Sequence, residues 1–214
     1  MKLTMTGVAL VGAIALTATT GIAGQANKAK LLTPSQLNEK APDRFKARLD
    51  TSQGVVVIDV HRDWSPLGAD RFYNLVKNGF YDDCRFFRVL DGFMAQIGMN
   101  GDPAIQAVWG RTNMNDDPVK SSNKRGFVSF AKSSLPNSRS TQFFINFADN
   151  SNLDPQGFSP FGEVTTGMDV VDKLYSGYGR NNVPDQGRIT AEGNAYLTKT
   201  YPKLDYIKKA TIDK

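Results

Sequence analysis

One cysteine, Cys84, and one histidine, His61, are all that 214 residues contain of these two types. An intramolecular disulfide is therefore excluded, and a zinc site built from His and Cys is short of ligands. Hydrolase chemistry fares no better. In Gly157 to Gly162, GFSPFG, the serine-to-glycine spacing is one residue too long for a nucleophile elbow, and no positioned histidine accompanies it. Charge of one sign is also missing: 26 Lys+Arg against 21 Asp+Glu leave +5, with basic residues scattered singly or in pairs such as Lys208-Lys209. Such scatter points to a solvated surface rather than a nucleic-acid groove. Asp82-Asp83 and Asp116-Asp117 are adjacent pairs whose side chains diverge, so they read as loop charges and not as catalytic carboxylates. GYG at Gly177 to Gly179 ends a helical pattern instead of starting one, the wrong place for a phosphate cradle. His61 follows a strand and is expected to face solvent, and Cys84 to fill a strand edge.

What is present begins with a terminal signal. Lys2 precedes an uncharged apolar stretch from Val8 to Leu16, and small residues end in Gly21-Ile22-Ala23. This is the pattern of a secretory signal over residues 1–23, cleaved after Ala23; its apolar core is short for a bilayer span, although an uncleaved anchor is the alternative. Residues 24–43 are polar and proline-punctuated and read as a mobile tether. Residues 44–214 then form one folded domain, with 40% hydrophobic residues in the chain to supply its core.

Within that domain, RFKARLDTSQGVVVIDVHRDW gives two β-rich runs around Ser52-Gln53-Gly54, a hairpin pattern. SPLGADRFYNLVKNG predicts a helix, with Ser65 as cap, Pro66 at the first position, apolar Phe72, Leu75 and Val76, and Asn78-Gly79 as the stop. A second helix is predicted where Met168, Val171, Leu174 and Tyr175 recur before Gly177. RFFRVL, GFMAQIG, GFVSFA, TQFFINF, SPFGEV and DYIKKATI are short and strand-like. Many short strands and two helices predict a closed or sandwiched antiparallel sheet. The segment from Gly179 to Lys203 carries no assigned role.

Period-two alternation sorts the chemistry-bearing side chains. It places Phe86, Arg88 and Leu90 on one face of a strand, and Met94 with Gln96 on one face of the next, opposite Phe93, Ala95 and Ile97. In STQFFINF it groups Gln142, Phe144 and Asn146 away from Phe143, Ile145 and Phe147. On spacing alone the plainer reading is a surface arginine and a Phe144 that fills a satellite cluster.

The runs FFRVLDGFMAQIG, GFVSFAKSSLPNSRSTQFFINF and NLDPQGFSPFGEVTTGMDVVD resemble, in order and spacing, the cyclophilin family of peptidyl-prolyl isomerases, over roughly Thr51 to Leu174. The resemblance implies a mainly β fold, a closed eight-stranded antiparallel barrel capped by two α-helices, with the active site on its outer face. It implies Arg88 as the catalytic residue. Phe93, Met94, Phe144 and Leu153 would line a proline pocket, Gln96 and Gln142 would be its polar positions, and Ala131-Lys132-Ser133 would pair with the bound peptide. Lys132 stands where the family often has asparagine, and its side chain is expected to favour acidic substrates. Asn152 and Phe158 sit at the rim, where well-known members carry tryptophan and histidine, so cyclosporin binding is not carried over. No cofactor or metal is implied. The expected partners are proline-containing unfolded or flexible polypeptides, with no nucleic acid and no stable membrane insertion after signal cleavage, for a monomer that is periplasmic or secreted. The expected activity is cis-trans isomerisation of X-Pro bonds that assists the folding of exported proteins. The alternatives are a non-catalytic proline-peptide-binding chaperone or scaffold on the same fold, and an envelope protein that uses the domain as a spacer.

Overall fold

Every second side chain of RFKARLDT is apolar or small, and this run forms β1 (Arg44–Thr51) with Phe45, Ala47 and Leu49 turned into the core. A turn at Ser52-Gln53-Gly54 returns the chain as β2 (Val55–His61), paired antiparallel from Arg44↔His61 to Asp50↔Val55. The structure, a computed structural model, describes residues 28–213. Six further strands complete one antiparallel sheet: β3 (Arg88–Leu90), β4 (Met94–Ile97), β5 (Phe127–Phe130), β6 (Phe143–Asn146), β7 (Pro160–Thr166) and β8 (Ile207–Asp213). Their order is β3-β4-β6-β5-β7-β2-β1-β8, so all the strand runs expected from the sequence are present and the ladder leaves β3 and β8 at its two ends. The sheet curls strongly. The residues just ahead of its two end strands meet, with Phe86 N donating to Asp205 O at 2.8 Å and Ile207 N to Cys84 O at 3.0 Å.

The core lies inside this curl. Phe130, Phe143 and Phe161 from three strands pack on Phe72 and Tyr81, and ring centroids of Phe72 lie 5.4 Å from Phe143 and 4.9 Å from Phe161. Phe72 belongs to α1 (Pro66–Lys77), the first predicted helix, which buries Phe72, Leu75 and Val76 as the periodicity requires. Its cap differs from the expectation. Ser65 makes no side-chain cap bond; Asp117 supplies it from a distant loop, accepting from Leu67 N at 3.1 Å and Gly68 N at 2.9 Å. Asp117 is thus a buried capping group, paired with the buried Arg139 at 3.0 Å, and not a loop charge.

The second predicted helix is reduced to one turn, α3 (Met168–Val171); Val171 and Leu174 still reach the core, and Tyr175 packs on Tyr178. Two helices not anticipated are α2 (Pro103–Trp109), capped by Asp102, and α4 (Gln186–Thr200), capped by Asp185 and kinked at Gly193. Gly193 has φ +59°, and a Cβ there would lie against the Gly101 carbonyl to which α4 is bonded. α4 contributes Ile189, Tyr196 and Leu197 to a second small core with Phe87, Met99, Tyr201 and Leu204.

Three further expectations are corrected. His61 does not face solvent: its ring stacks on Trp64 at 3.8 Å, and Nε2 lies 3.0 Å from Arg44 Nη2. Phe86 enters the main core instead of sharing a face with Arg88, because the ladder starts only at Arg88. The signal expected over residues 1–23 is not among these corrections, since it lies outside the described residues. Of the supposed tether, residues 28–43 dock on the domain: Leu31 and Ala41 are buried, and Trp109 Nε1 donates to Leu31 O at 2.7 Å. Among the described residues, no helix is long and apolar enough to cross a membrane.

Candidate active site

The strands β3, β4 and β6 have two faces, and the chain uses them differently. Val89, Ala95, Ile97, Phe143 and Ile145 point into the curl. On the convex side Leu90, Met94, Phe144 and Leu153 form a separate buried cluster, with Phe93, Ala131 and Phe158 packed around it. Arg88 pairs with Gln96 across β3 and β4, and Gln96 with Phe144 across β4 and β6, so a cation, an amide and an aromatic ring stand side by side. The Arg88 guanidinium donates to Gln96 Oε1 at 3.0 Å, and Gln96 Nε2 donates to Gln142 Oε1 at 2.8 Å. Gly98, with φ +109°, lets the end of β4 run against the next strand: a Cβ there would lie 2.5 Å from the Thr141 carbonyl oxygen. That close approach holds Gln96 and Gln142 within bonding reach.

Arg88 is half-buried. Desolvation, and after it the nearby Arg180 charge, lower its pKa from the ordinary arginine value. A guanidinium remains cationic even so, and here it is partly stripped of water beside an apolar hollow.

A cleft of about 340 Å³ runs beside the cluster, lined by Gln96, Ala131, Lys132, Ser133 and Gln142 among others. Ala131 N donates to Gln142 O at 2.8 Å and Ser133 N to Ser138 Oγ at 3.0 Å, whereas the Lys132 amide has no partner among the described residues. Lys132 thus lines the cleft with a main-chain amide that is not engaged by the described residues. Its ammonium is occupied, 3.4 Å from Asp116 and 6.0 Å from the centre of the Phe158 ring.

These elements together form a greasy hollow, a fixed cation at its edge and an open strand-like segment alongside. The cyclophilin type peptidyl-prolyl cis-trans isomerase/CLD family model matches residues 46–193, most of the chain. The chain belongs to this family. A peptidyl-prolyl cis-trans isomerase of Acinetobacter baylyi is 36% identical over 147 residues, covering 64% of this chain and 78% of its own length. Peptidyl-prolyl cis-trans isomerase B of Escherichia coli is 34% identical over 170 residues, covering 73% and 92%. In fold, a Cryptosporidium parvum cyclophilin type isomerase superposes with a TM-score of 0.59 at 19% identity, over 80% of this chain and 98% of that one. The protein is a cyclophilin-type peptidyl-prolyl cis-trans isomerase, and its substrates are proline-containing peptides.

Nearly all the residues singled out from the sequence converge on the convex face of this cyclophilin. Arg88, Gln96 and Gln142 form one hydrogen-bonded row; Met94, Phe144, Leu153, Phe93 and Phe158 form the hollow; Ala131, Lys132 and Ser133 form the cleft wall. Phe93 reaches the hollow against the strand alternation, because it sits in the turn before β4, where its N–H bonds Leu90 O at 3.0 Å. Asn152 is the exception: it is exposed on the 3-10 turn Ser151–Gln156 and stands outside the apolar cluster. Leu90 was not singled out for the pocket, although it shares a face with Arg88. Gln186 was missed as well; its Oε1 accepts from Gln142 Nε2 at 3.1 Å.

Proposed function

We propose that Arg88 is the catalytic group of this isomerase and that its clients are exported polypeptides. Planarity of the X-Pro amide is held by resonance, and rotation costs about 18–20 kcal/mol. As the bond twists, the proline nitrogen recovers its lone pair and becomes a stronger acceptor. A guanidinium above the ring then bonds the twisted amide more strongly than the planar one, which is the differential binding that accelerates the exchange. No bond is broken, so neither a nucleophile nor a proton-transfer pair is needed.

The observation that carries this reading is the Arg88 guanidinium, anchored by Gln96 at the edge of the Leu90, Met94, Phe144 and Leu153 hollow. The hollow holds the ring, and the Lys132 main chain is free to pair with the peptide. A binding module without turnover would have no need of a desolvated cation at that place. Replacing Arg88 by alanine tests the assignment: peptide binding persists in part and most acceleration is lost. Full acceleration in that variant refutes it.

The hydrogen bonds between the Cys84–Phe86 and Asp205–Ile207 segments support reading the curled sheet as a closed barrel. The amino-terminal pattern of residues 1–23 supports removal of a signal and action outside the cytoplasm. The mature chain is further proposed to act as a monomer over residues 44–214, with the preceding segment docked on it through Leu31 and Trp109. Cell fractionation with amino-terminal sequencing of the mature protein tests this; a cytoplasmic chain that retains Met1 contradicts it.

A further inference from the structure

The segment from Tyr178 to Gln186 is braced at both ends and leans over the site just described. Tyr178 packs edge-on against Tyr175 and Tyr201, at 5.1 and 5.0 Å. At the other end Asp185 caps α4, accepting from Arg188 N at 2.7 Å, while Gln186 bonds Gln142 beside the cleft. A turn around Tyr178, in which Gly179 N donates to Ser176 O at 2.8 Å, leads directly into Arg180. The Arg180 guanidinium lies 5.9 Å from the centre of the Phe93 ring, on the wall of the apolar hollow.

Arg180 has no carboxylate to answer it. Arg62, Arg125 and Arg188 each meet one at 2.7 to 2.8 Å, but among the described residues Arg180 meets none, and neither does Arg88. The charged neighbour that perturbs Arg88 is Arg180 itself. Two guanidiniums of like charge therefore stand at one mouth without a counterion from the chain. Arg180 is exposed, so water and salt screen part of this repulsion, and a carboxylate on a bound peptide would relieve what remains. Lys132, which lines the cleft, does not add a third unpaired cation, because Asp116 lies 3.4 Å from its ammonium.

We infer that Arg180 is a specificity-determining residue, which selects peptides carrying an aspartate or glutamate next to the isomerised proline. The arm places its cation where a residue flanking a ring held in the hollow must pass. A carboxylate there completes the charge pattern, and a lysine meets two like charges. This selectivity rests on the assignment of the hollow beside Arg88 as the proline site.

Exchange spectroscopy on two peptide pairs tests it, one with Glu or Lys just before the proline and one with Glu or Lys just after. In at least one pair the wild type is expected to favour Glu by about threefold or more in kcat/KM at low salt, and less at high salt. Arg180→Lys keeps that ratio, and Arg180→Glu brings it to one or inverts it. A ratio near one in both wild-type pairs overturns the inference, as does a preference that survives Arg180→Glu. Arg88→Ala separates the two readings: turnover of all four peptides retained in that variant sinks the pocket assignment, whatever the Glu-to-Lys ratio is in the wild type.

Discussion

Arg88 and Gln96 are direct register partners on β3 and β4, and the guanidinium is held by the Gln96 carbonyl oxygen at 3.0 Å. Gln96 is fixed in turn by Gln142, and Gln142 by Gln186. A row of amides, in which Gln96 and Gln142 each accept through oxygen and donate through NH2 and Gln186 accepts at the end, therefore runs from α4 to the cation, and sets where the guanidinium points. Long arginine side chains have several rotatable bonds, so a partner that fixes one orientation removes entropy that the reaction would otherwise have to supply.

Replacing Gln96 by leucine keeps the volume and deletes the acceptor. We expect kcat/KM on Ala-Pro peptides to fall about tenfold, because a hydrogen bond to a charged group is worth about 1.5–3 kcal/mol. Circular dichroism should show the fold retained. Unchanged turnover would remove Gln96 from the account.

Asp117 is predicted to act on stability. Its buried carboxylate accepts from Ser65 Oγ at 2.6 Å, from two amides at the start of α1 and from Arg139. Asp117→Ala uncaps the helix and leaves the buried Arg139 with Asp116 as its remaining carboxylate partner, 3.3 Å from Nε, at a cost of about 2–3 kcal/mol. A urea titration reads this as a lowered midpoint; a loss under about 1 kcal/mol would contradict the role.

Cys84 gives a pH dependence. Burial, and after it the charges of Asp82 and Asp83, push its thiol well above the ordinary value. The folded chain keeps this proton at alkaline pH while the unfolded chain releases it, so stability falls as pH rises through the ordinary thiol range, by at most about 1.4 kcal/mol per pH unit. Cys84→Ala should flatten that slope. Native Cys84 should also resist alkylation at pH 8 and react only in denaturant; rapid native labelling would contradict its burial.

All eight strands were legible, because each alternates or ends in Gly and Asn, and the outward face of Arg88, Met94, Gln96, Gln142 and Phe144 followed from the same alternation, whereas Leu153, Phe158 and Ala131 to Ser133 came only from the family resemblance. Residues whose role depends on distant partners were not. Asp117 caps a helix about fifty residues away in the chain, which no local pattern announces. Phe93 and Phe86 lie just outside their strands, so period two misassigned their faces. α4 was hidden because Gly187 and Gly193 interrupt its apolar spacing, and with it went Gln186 and the Arg180 arm. The Asp102-Pro103 start of α2, by contrast, is a cap that the local sequence does announce.

The most direct test of the central claim compares wild type with Arg88→Ala by exchange spectroscopy on an Ala-Pro peptide, with peptide affinity measured on the same samples. The account predicts exchange slowed by about a hundredfold or more, with affinity changed far less, since the cation acts on the twisted amide rather than on the resting one. Equal exchange rates in the two proteins would contradict it.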